Sequence, residues 1–232
     1  VVTLTGVGFK LSTIITGAAQ AMAGGVADWL PAAMMSQQTL ALLVARVMTG
    51  LVCILLGCGI PTTANYIIMV TVAAPTLVQL GVEPLVAHFF VFYYGVLADV
   101  TPPVALAALA ASSIAKASHD AIGWKATQIA IAGFVVPYMA VYDPLLMLQG
   151  EITITGVAYI VAKALLAVVL WGTAAIGYLR TPLNWPERCT AAIAAMLLVA
   201  AIPLTDQAGF ALAGAFFIWH EVRRRRLARL PS

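Results

Sequence analysis

The sequence predicts an all-α integral membrane protein: a multi-span helical bundle with a broken helix and a re-entrant hairpin. Three observations point there. Of 232 residues, 62% are hydrophobic and only 9% are charged, where a soluble domain carries about 25% charged residues. The mean hydropathy is +1.00. The apolar stretches are broken by Gly, Pro and Thr more than by charge. Disorder is excluded, because it needs few apolar residues and much charge. A soluble enzyme is excluded for want of polar surface to cover it. Cys53, Cys58 and Cys189 are scattered without CxxC spacing, so a disulfide-stapled secreted domain is excluded too. A spanning helix takes about 20 apolar residues, so the length allows roughly seven to nine spans or half-spans.

The chain opens at Val1 inside an apolar stretch, with no charged leader region and no small-residue cleavage site. It therefore reads as one segment of a longer chain. Residues 1–20 form a first apolar segment containing Lys10. Residues 21–37 read as a surface stretch, where Asp28, Trp29 and Pro31 suit an interfacial helix or turn. Residues 38–56 are a membrane helix interrupted by Arg46, and a second apolar helix runs from Ala64 to Leu80. Together, residues 38–80 are the broken helix.

Residues 85–98 are apolar and aromatic, and an Ala-rich helix resumes over 104–115. Each arm is about 12–14 residues, too short for a hydrocarbon core of about 30 Å. Two half-length arms meeting at Pro102-Pro103 suggest a re-entrant hairpin over 85–116. A polar loop follows over 116–125, then a span within 124–148 that closes on Tyr142-Asp143-Pro144. Residues 152–179 are a long span carrying Lys163, which is expected to snorkel. After a loop over 181–188, the last apolar block, 189–220, is broken at Pro203 and reads as either two short spans or one hairpin. The two regions are thus 1–150 and a membrane extension, 151–232, with a basic tail. Arginines 223 to 226 and Arg229 hold five of the twelve basic residues. A cytoplasmic tail obeying the positive-inside rule accounts for them, and contact with anionic membrane lipids is compatible with it. Nucleic acid is set aside, because no aromatics interleave with the arginines.

The chemistry lies in the two interruptions. Between Leu30 and Ala115 the charged residues are Arg46, Glu83 and Asp99 alone. Irregular backbone at membrane depth is tolerated only where protein or a polar cavity surrounds it. In the first break, Gly57 and Gly59 loosen the turn and Pro61 lacks an N–H, which frees carbonyls near 57–60. Thr62, Thr63 and Asn65 add oxygen-bearing side chains beside them. Such oxygens suit a hard monovalent cation such as Na⁺. A plain Pro/Gly kink is the structural alternative. In the second break, Asp99 to Val104, two prolines force an extended segment and place Pro in the first turn of the next helix, whose N–H groups make an anion site. Thr101 is a candidate cap and ligand. Asp99 is either a cation partner or the solvated residue of the tip.

The run Leu56-Gly57-Cys58-Gly59-Ile60-Pro61-Thr62-Thr63-Ala64-Asn65-Tyr66 resembles the LGxGxPTTAxY segment of tripartite ATP-independent periplasmic (TRAP) transporters, and more narrowly their fused permeases. The run from Phe90 to Ala107, through Asp99-Val100-Thr101-Pro102-Pro103, is similar to that family's FVFYFGxLxxxTPPVALA hairpin. Residues 134–150 are similar to the helix that follows it, and residues 151–232 match the C-terminal extension only loosely. The resemblance implies a secondary active permease of the bacterial or archaeal inner membrane, multi-pass, importing organic acids by Na⁺ symport and elevator movement. A periplasmic binding protein would deliver the substrate. No catalytic residue and no cofactor besides Na⁺ as coupling ion is implied. The chain would hold the second of two inverted repeats, with the first repeat, or a small membrane subunit, as its missing partner. At 232 residues it reads as the C-terminal half of such a transporter. Carried over, Gly57, Gly59, Pro61, Thr62, Thr63 and Asn65 line the ion and substrate site. Thr101, Pro102 and Pro103 form the hairpin tip. Na⁺ would sit among Gly57, Gly59, Thr62 and Thr101. Asp99 falls where the family varies.

Other residues read more plainly. Arg46 suits a structural pairing or snorkelling, with a substrate carboxylate as the sharper alternative. His88 and His119 read as loop or interface residues, the aromatic run 89–94 as packing, and Tyr66 as packing before substrate contact. Two rivals stand beside the transporter. One is a non-transporting membrane subunit or assembly partner. The other is an intramembrane aspartyl protease using Asp99 and Asp143, which lacks the GxGD context.

Overall fold

The computed structural model describes residues 6–27, 37–199 and 203–227. It divides into two compact units, residues 1–124 and 125–232. Among the described residues every extended element is a helix, and the sole β pairing is an isolated bridge between Tyr178 and Pro182.

In the first unit, α1 (Val7–Ala27) packs on α2 (Gln37–Gly57) and on α4 (Ala74–Gln79). Two alanines ease this approach: Ala19 of α1 and Ala45 of α2 are buried in one cluster, with Ile15 packed beside them. Ser12 also donates to Gln79 Oε1 at 2.9 Å. Between α2 and α4 lies α3 (Thr62–Val72), and α5 (Pro84–Leu97) packs on α2, α3 and α4. The arm after the second break is α6 (Leu106–Ala115), and α7 spans His119–Ala130. Leu51, Leu55, Ile67 and Leu109 stay exposed, as suits side chains that meet lipid.

The second unit holds a 3-10 segment, Ile131–Val135, then α8 (Val136–Tyr142) and a second 3-10 segment, Pro144–Met147. Three long helices follow: α9 (Ile154–Ile176), α10 (Trp185–Val199) and α11 (Pro203–Leu227), with α10 packed between the other two. Met139, Leu170, Leu198 and Phe216 form their core. Thr153 caps α9, its hydroxyl accepting the Gly156 N–H at 3.2 Å. Gly177 ends α9 at φ 76°, a left-handed position that glycine takes without steric cost. Among the described residues α9 is the one helix long and apolar enough to cross a membrane, and Ala41–Gly57, Pro84–Leu97 and Leu106–Ala115 are shorter apolar helices.

Several expected boundaries shift. Helix α1 continues to Ala27, into the stretch read as surface, while Asp28, Trp29 and Pro31 lie outside the described residues. The helix expected over 64–80 divides at Ala73, because Pro75 in the first turn of α4 has no N–H to continue the ladder. The polar loop expected over 116–125 is short, since α7 already begins at His119. The span within 124–148 is not one continuous helix. It tightens to 3-10 around Gly133 and restarts as α8, with Pro137 in its first turn. The last block resolves into two helices, α10 and α11, adjacent to each other.

Candidate functional site

The first interruption closes tightly. Helix α2 ends at Gly57, whose carbonyl accepts the Ile60 N–H at 3.3 Å, while Cys58 N–H bonds Leu55 at 3.4 Å. The expectation of freed carbonyls over 57–60 is therefore corrected at Gly57, because the turn uses that oxygen. Gly59 turns the chain at φ +77°, a conformation that disfavours side chains. Pro61, at φ −55° and ψ 139°, sets up the first turn of α3, where Thr62 and Thr63 are exposed. The Pro61 carbonyl accepts the Asn65 N–H at 2.9 Å.

The second interruption unwinds α5 gradually. Asp99, Val100 and Thr101 N–H groups each reach back three residues, to Val96, Leu97 and Ala98, at 3.1, 3.2 and 3.3 Å. The Thr101 hydroxyl donates to the Leu97 carbonyl at 2.7 Å. It therefore holds the end of α5 and does not cap α6 as expected. The Pro102–Pro103 bond is cis, and Ala105 sits at φ 42°. The prolines do not occupy the first turn of the next helix, because α6 starts at Leu106. The α6 terminus is partly used: the Asp99 carbonyl takes the Ala107 N–H at 3.0 Å. Asp99 itself is half-buried and Pro103 exposed.

The structure brings the two interruptions together. Asn65 is 1% exposed, and its Nδ2 donates to the Gly95 carbonyl at 3.1 Å. Asn65 thereby ties α3 to α5. A β-carbon on Gly57 would stand 2.7 Å from Asn65 Nδ2 and 2.8 Å from Ala98 Cβ. A β-carbon on Gly95 would stand 2.8 Å from the same Nδ2, and one on Gly59 3.6 Å from Val104. Gly57, Asn65, Gly95 and Ala98 thus form a joint where α2, α3 and α5 meet, with Val104 of the second break beside Gly59. Asn65 Oδ1 has no hydrogen-bond partner although it is buried. A buried acceptor without a donor is costly in apolar surroundings, and it is the kind of oxygen a cation satisfies.

Sequence reasoning missed Gly95 and Ala98. Their signal was present, two small residues three apart on an aromatic helix, as close helix contacts require. His88, read as a loop or interface residue, sits within α5 and pairs with Tyr66 Oη of α3 at 3.0 Å, so the interface reading is the one that applies. Tyr66 packs edge-on against Phe92 at 5.6 Å between ring centroids. Phe90 and Tyr94 are core residues, as read. His119 is the first residue of α7, and Arg46 is half-buried within α2. Asp143 accepts the Leu145 N–H at 3.2 Å, so its carboxylate caps a 3-10 turn.

The second unit handles charge differently. Lys163 does not snorkel. It is 1% exposed and pairs with Asp206 at 2.8 Å, while Tyr159 Oη donates to the same carboxylate oxygen at 2.8 Å. At the other end of α11, the buried Glu187 meets Arg223 at 3.1 Å and His220 at 3.4 Å.

No curated protein and no solved structure matches the chain. The family model described as tripartite ATP-independent periplasmic transporter, DctM component, matches residues 1–154, which takes in both interruptions. TRAP transporters of this kind are inner-membrane permeases working with a periplasmic binding protein and a small membrane subunit. The chain belongs to the tripartite ATP-independent periplasmic transporter family, as a DctM component.

Proposed function

We propose that this permease carries organic acids inward across the membrane by Na⁺ symport, receiving the carboxylate substrate from a periplasmic binding protein. The observation that carries the reading is the joint at Asn65. Two breaks in charge-poor helices meet there, and a buried carboxamide oxygen is left without a donor. Broken helices near mid-membrane are where secondary transporters hold their ions and substrates. In this reading Gly57, Gly59, Thr62 and Thr101 hold Na⁺, and Pro61, Thr63 and Asn65 complete the ion and substrate site. Asp99, Pro102 and Pro103 form the tip of a re-entrant hairpin. Residues 1–150 are the second repeat of a multi-pass permease. The first repeat or a small membrane subunit completes it, and membrane lipids surround the extension.

The test is Na⁺-gradient-driven uptake of labelled organic acids by the complete transporter with its binding protein, reconstituted in liposomes. Thr62→Val and Thr63→Val keep side-chain shape and remove an oxygen. Each is expected to abolish the Na⁺-dependent component. Unchanged Na⁺ dependence in both variants would overturn the assignment.

A further inference from the structure

The ends of α9, α10 and α11 that meet around residues 174–188 and 220–226 are tied into one built corner. Arg188 Nε and Nη2 donate to the Ala174 and Ala175 carbonyls at 2.8 and 3.1 Å, closing the last turn of α9. Asn184 N–H bonds Glu187 Oε2 at 3.0 Å, and Arg223 reaches both Glu187 and the Pro182 carbonyl. The loop between α9 and α10 is thus held by side chains from two helices.

This corner carries more positive charge than its own carboxylates balance. Arg180, Arg188 and the arginine run 223–226 face two glutamates, Glu187 and Glu221. Glu187 is fully buried, whereas the side chains of Arg180 and Arg225 are 68% and 70% exposed. Within the same corner Arg188 borders an apolar groove lined by Ile131, Trp171, Ala174, Cys189 and Ala192. Trp185 stands at its mouth, 76% exposed, with the Arg188 guanidinium 5.5 Å from the ring centroid. An exposed tryptophan in a membrane protein marks headgroup level.

We propose that this corner of the second unit is a binding site for an anionic phospholipid, with one acyl chain in the groove and the headgroup on the arginines. Each half of the site answers one half of the ligand. A free phosphate gains the guanidinium groups and nothing from the groove. A zwitterionic lipid gains the groove, while its own ammonium opposes the arginine excess. Basic residues clustered at a membrane surface select anionic lipid through the same electrostatics. The inference rests on membership of a membrane transporter family and is independent of the ion and substrate reading of residues 57–104.

Cys189 supplies a native reporter, since it is exposed and lines the groove. The full chain is placed in nanodiscs of phosphatidylcholine alone or with phosphatidylglycerol. Maleimide alkylation is followed on the Cys189 peptide by mass spectrometry, with the Cys58 peptide as internal control. Phosphatidylglycerol is expected to slow Cys189 several-fold relative to Cys58. The protection is expected to vanish in Arg180→Gln/Arg225→Gln, which leaves Arg188 and Arg223 holding the loop. Inorganic phosphate in phosphatidylcholine discs is expected to give no protection. Ala192→Phe fills the groove without touching charge, and there the two lipid compositions are expected to give one rate. Equal rates for the wild-type chain in both membranes would overturn the proposal. So would protection by phosphate alone, or protection that survives in the arginine pair or in Ala192→Phe.

Discussion

The two units solve the same problem, polar groups inside an apolar bundle, in opposite ways. In the first unit the helices break, and neutral groups hold the breaks: a carboxamide, a threonine hydroxyl and closely packed glycines. In the second unit α9 and α11 are long helices, and the buried polar groups are opposite charges, Lys163 with Asp206 and Glu187 with Arg223. In each charge pair one carboxylate oxygen meets the cation, Asp206 Oδ2 with Lys163 and Glu187 Oε2 with Arg223, while the other, Asp206 Oδ1 or Glu187 Oε1, is buried without a hydrogen-bond partner, as Asn65 Oδ1 is. The difference is one of charge: the orphaned oxygen at the first unit's joint belongs to a neutral carboxamide, and those of the second unit's pairs belong to carboxylates that already face a cation. The first unit thus holds its breaks with neutral groups, and the second clasps its helices with paired charges.

The comparison breaks most sharply at Asp206. Removing one partner of a buried pair leaves an uncompensated charge and costs about 3–5 kcal/mol, whereas replacing the whole pair with apolar residues is often neutral. Asp206→Leu is expected to destabilise the chain by that amount in denaturant unfolding from mixed micelles. The triple variant Lys163→Met/Asp206→Leu/Tyr159→Phe also removes the hydroxyl that donates to Asp206, and it is expected to recover most of the loss. A triple variant as unstable as the single one would show that the pair does more than clasp two helices.

A glycine-to-alanine exchange should change sign between the units. At Gly57 the new methyl meets Asn65 Nδ2 at 2.7 Å and Ala98 Cβ at 2.8 Å, both too close to stand without a shift. Overpacking of this kind costs about 1–3 kcal/mol, and displacing Asn65 breaks its bond to Gly95. At Gly172, within α9, a β-carbon meets nothing within 4 Å, so alanine gains about 0.5–1 kcal/mol of helix propensity. Gly57→Ala is expected to lower the thermal midpoint in detergent, and Gly172→Ala to raise it. Two shifts of the same sign would remove the distinction drawn between a joint and a plain span.

Both breaks were legible in the sequence because Gly, Pro and Thr interrupt apolar runs that charge does not. The family followed from the residues in those breaks. The partners were not legible. Asn65 reads as an oxygen ligand beside Pro61, yet which helix it grips depends on Gly95, thirty positions away in sequence. Lys163 and Asp206 are forty-three apart, and a single lysine in an apolar run gives no sign of its partner. Pro75, Gly133 and Pro137 divide helices that apolar composition alone reads as continuous. Hydropathy reports that a segment is buried in lipid or protein and is blind to whether its ladder is whole.

The smallest effect separates buried charge from exposed charge within the second unit itself. Glu221, near the C-terminal end of α11, accepts from Arg224 at 2.7 and 2.8 Å and from Arg225 at 2.8 Å. Arg224 first, then Arg225, hold its carboxyl at about 2, well below the ordinary 4.5. A carboxyl lowered by folding binds protons more weakly in the native chain than in the unfolded one. Its stabilisation is therefore complete above about pH 4.5 and is lost as the pH falls toward about 2. Solvent and salt screen an exposed cluster of this kind. The difference in thermal midpoint between the wild-type chain and Glu221→Gln should thus be small at neutral pH, shrink with added salt, and close under acid. The buried Lys163–Asp206 pair is screened far less, so salt should leave the effect of Asp206→Leu nearly unchanged. If salt weakened both effects equally, the two pairs would share one dielectric environment, and the clasp on α9 would lie open to solvent.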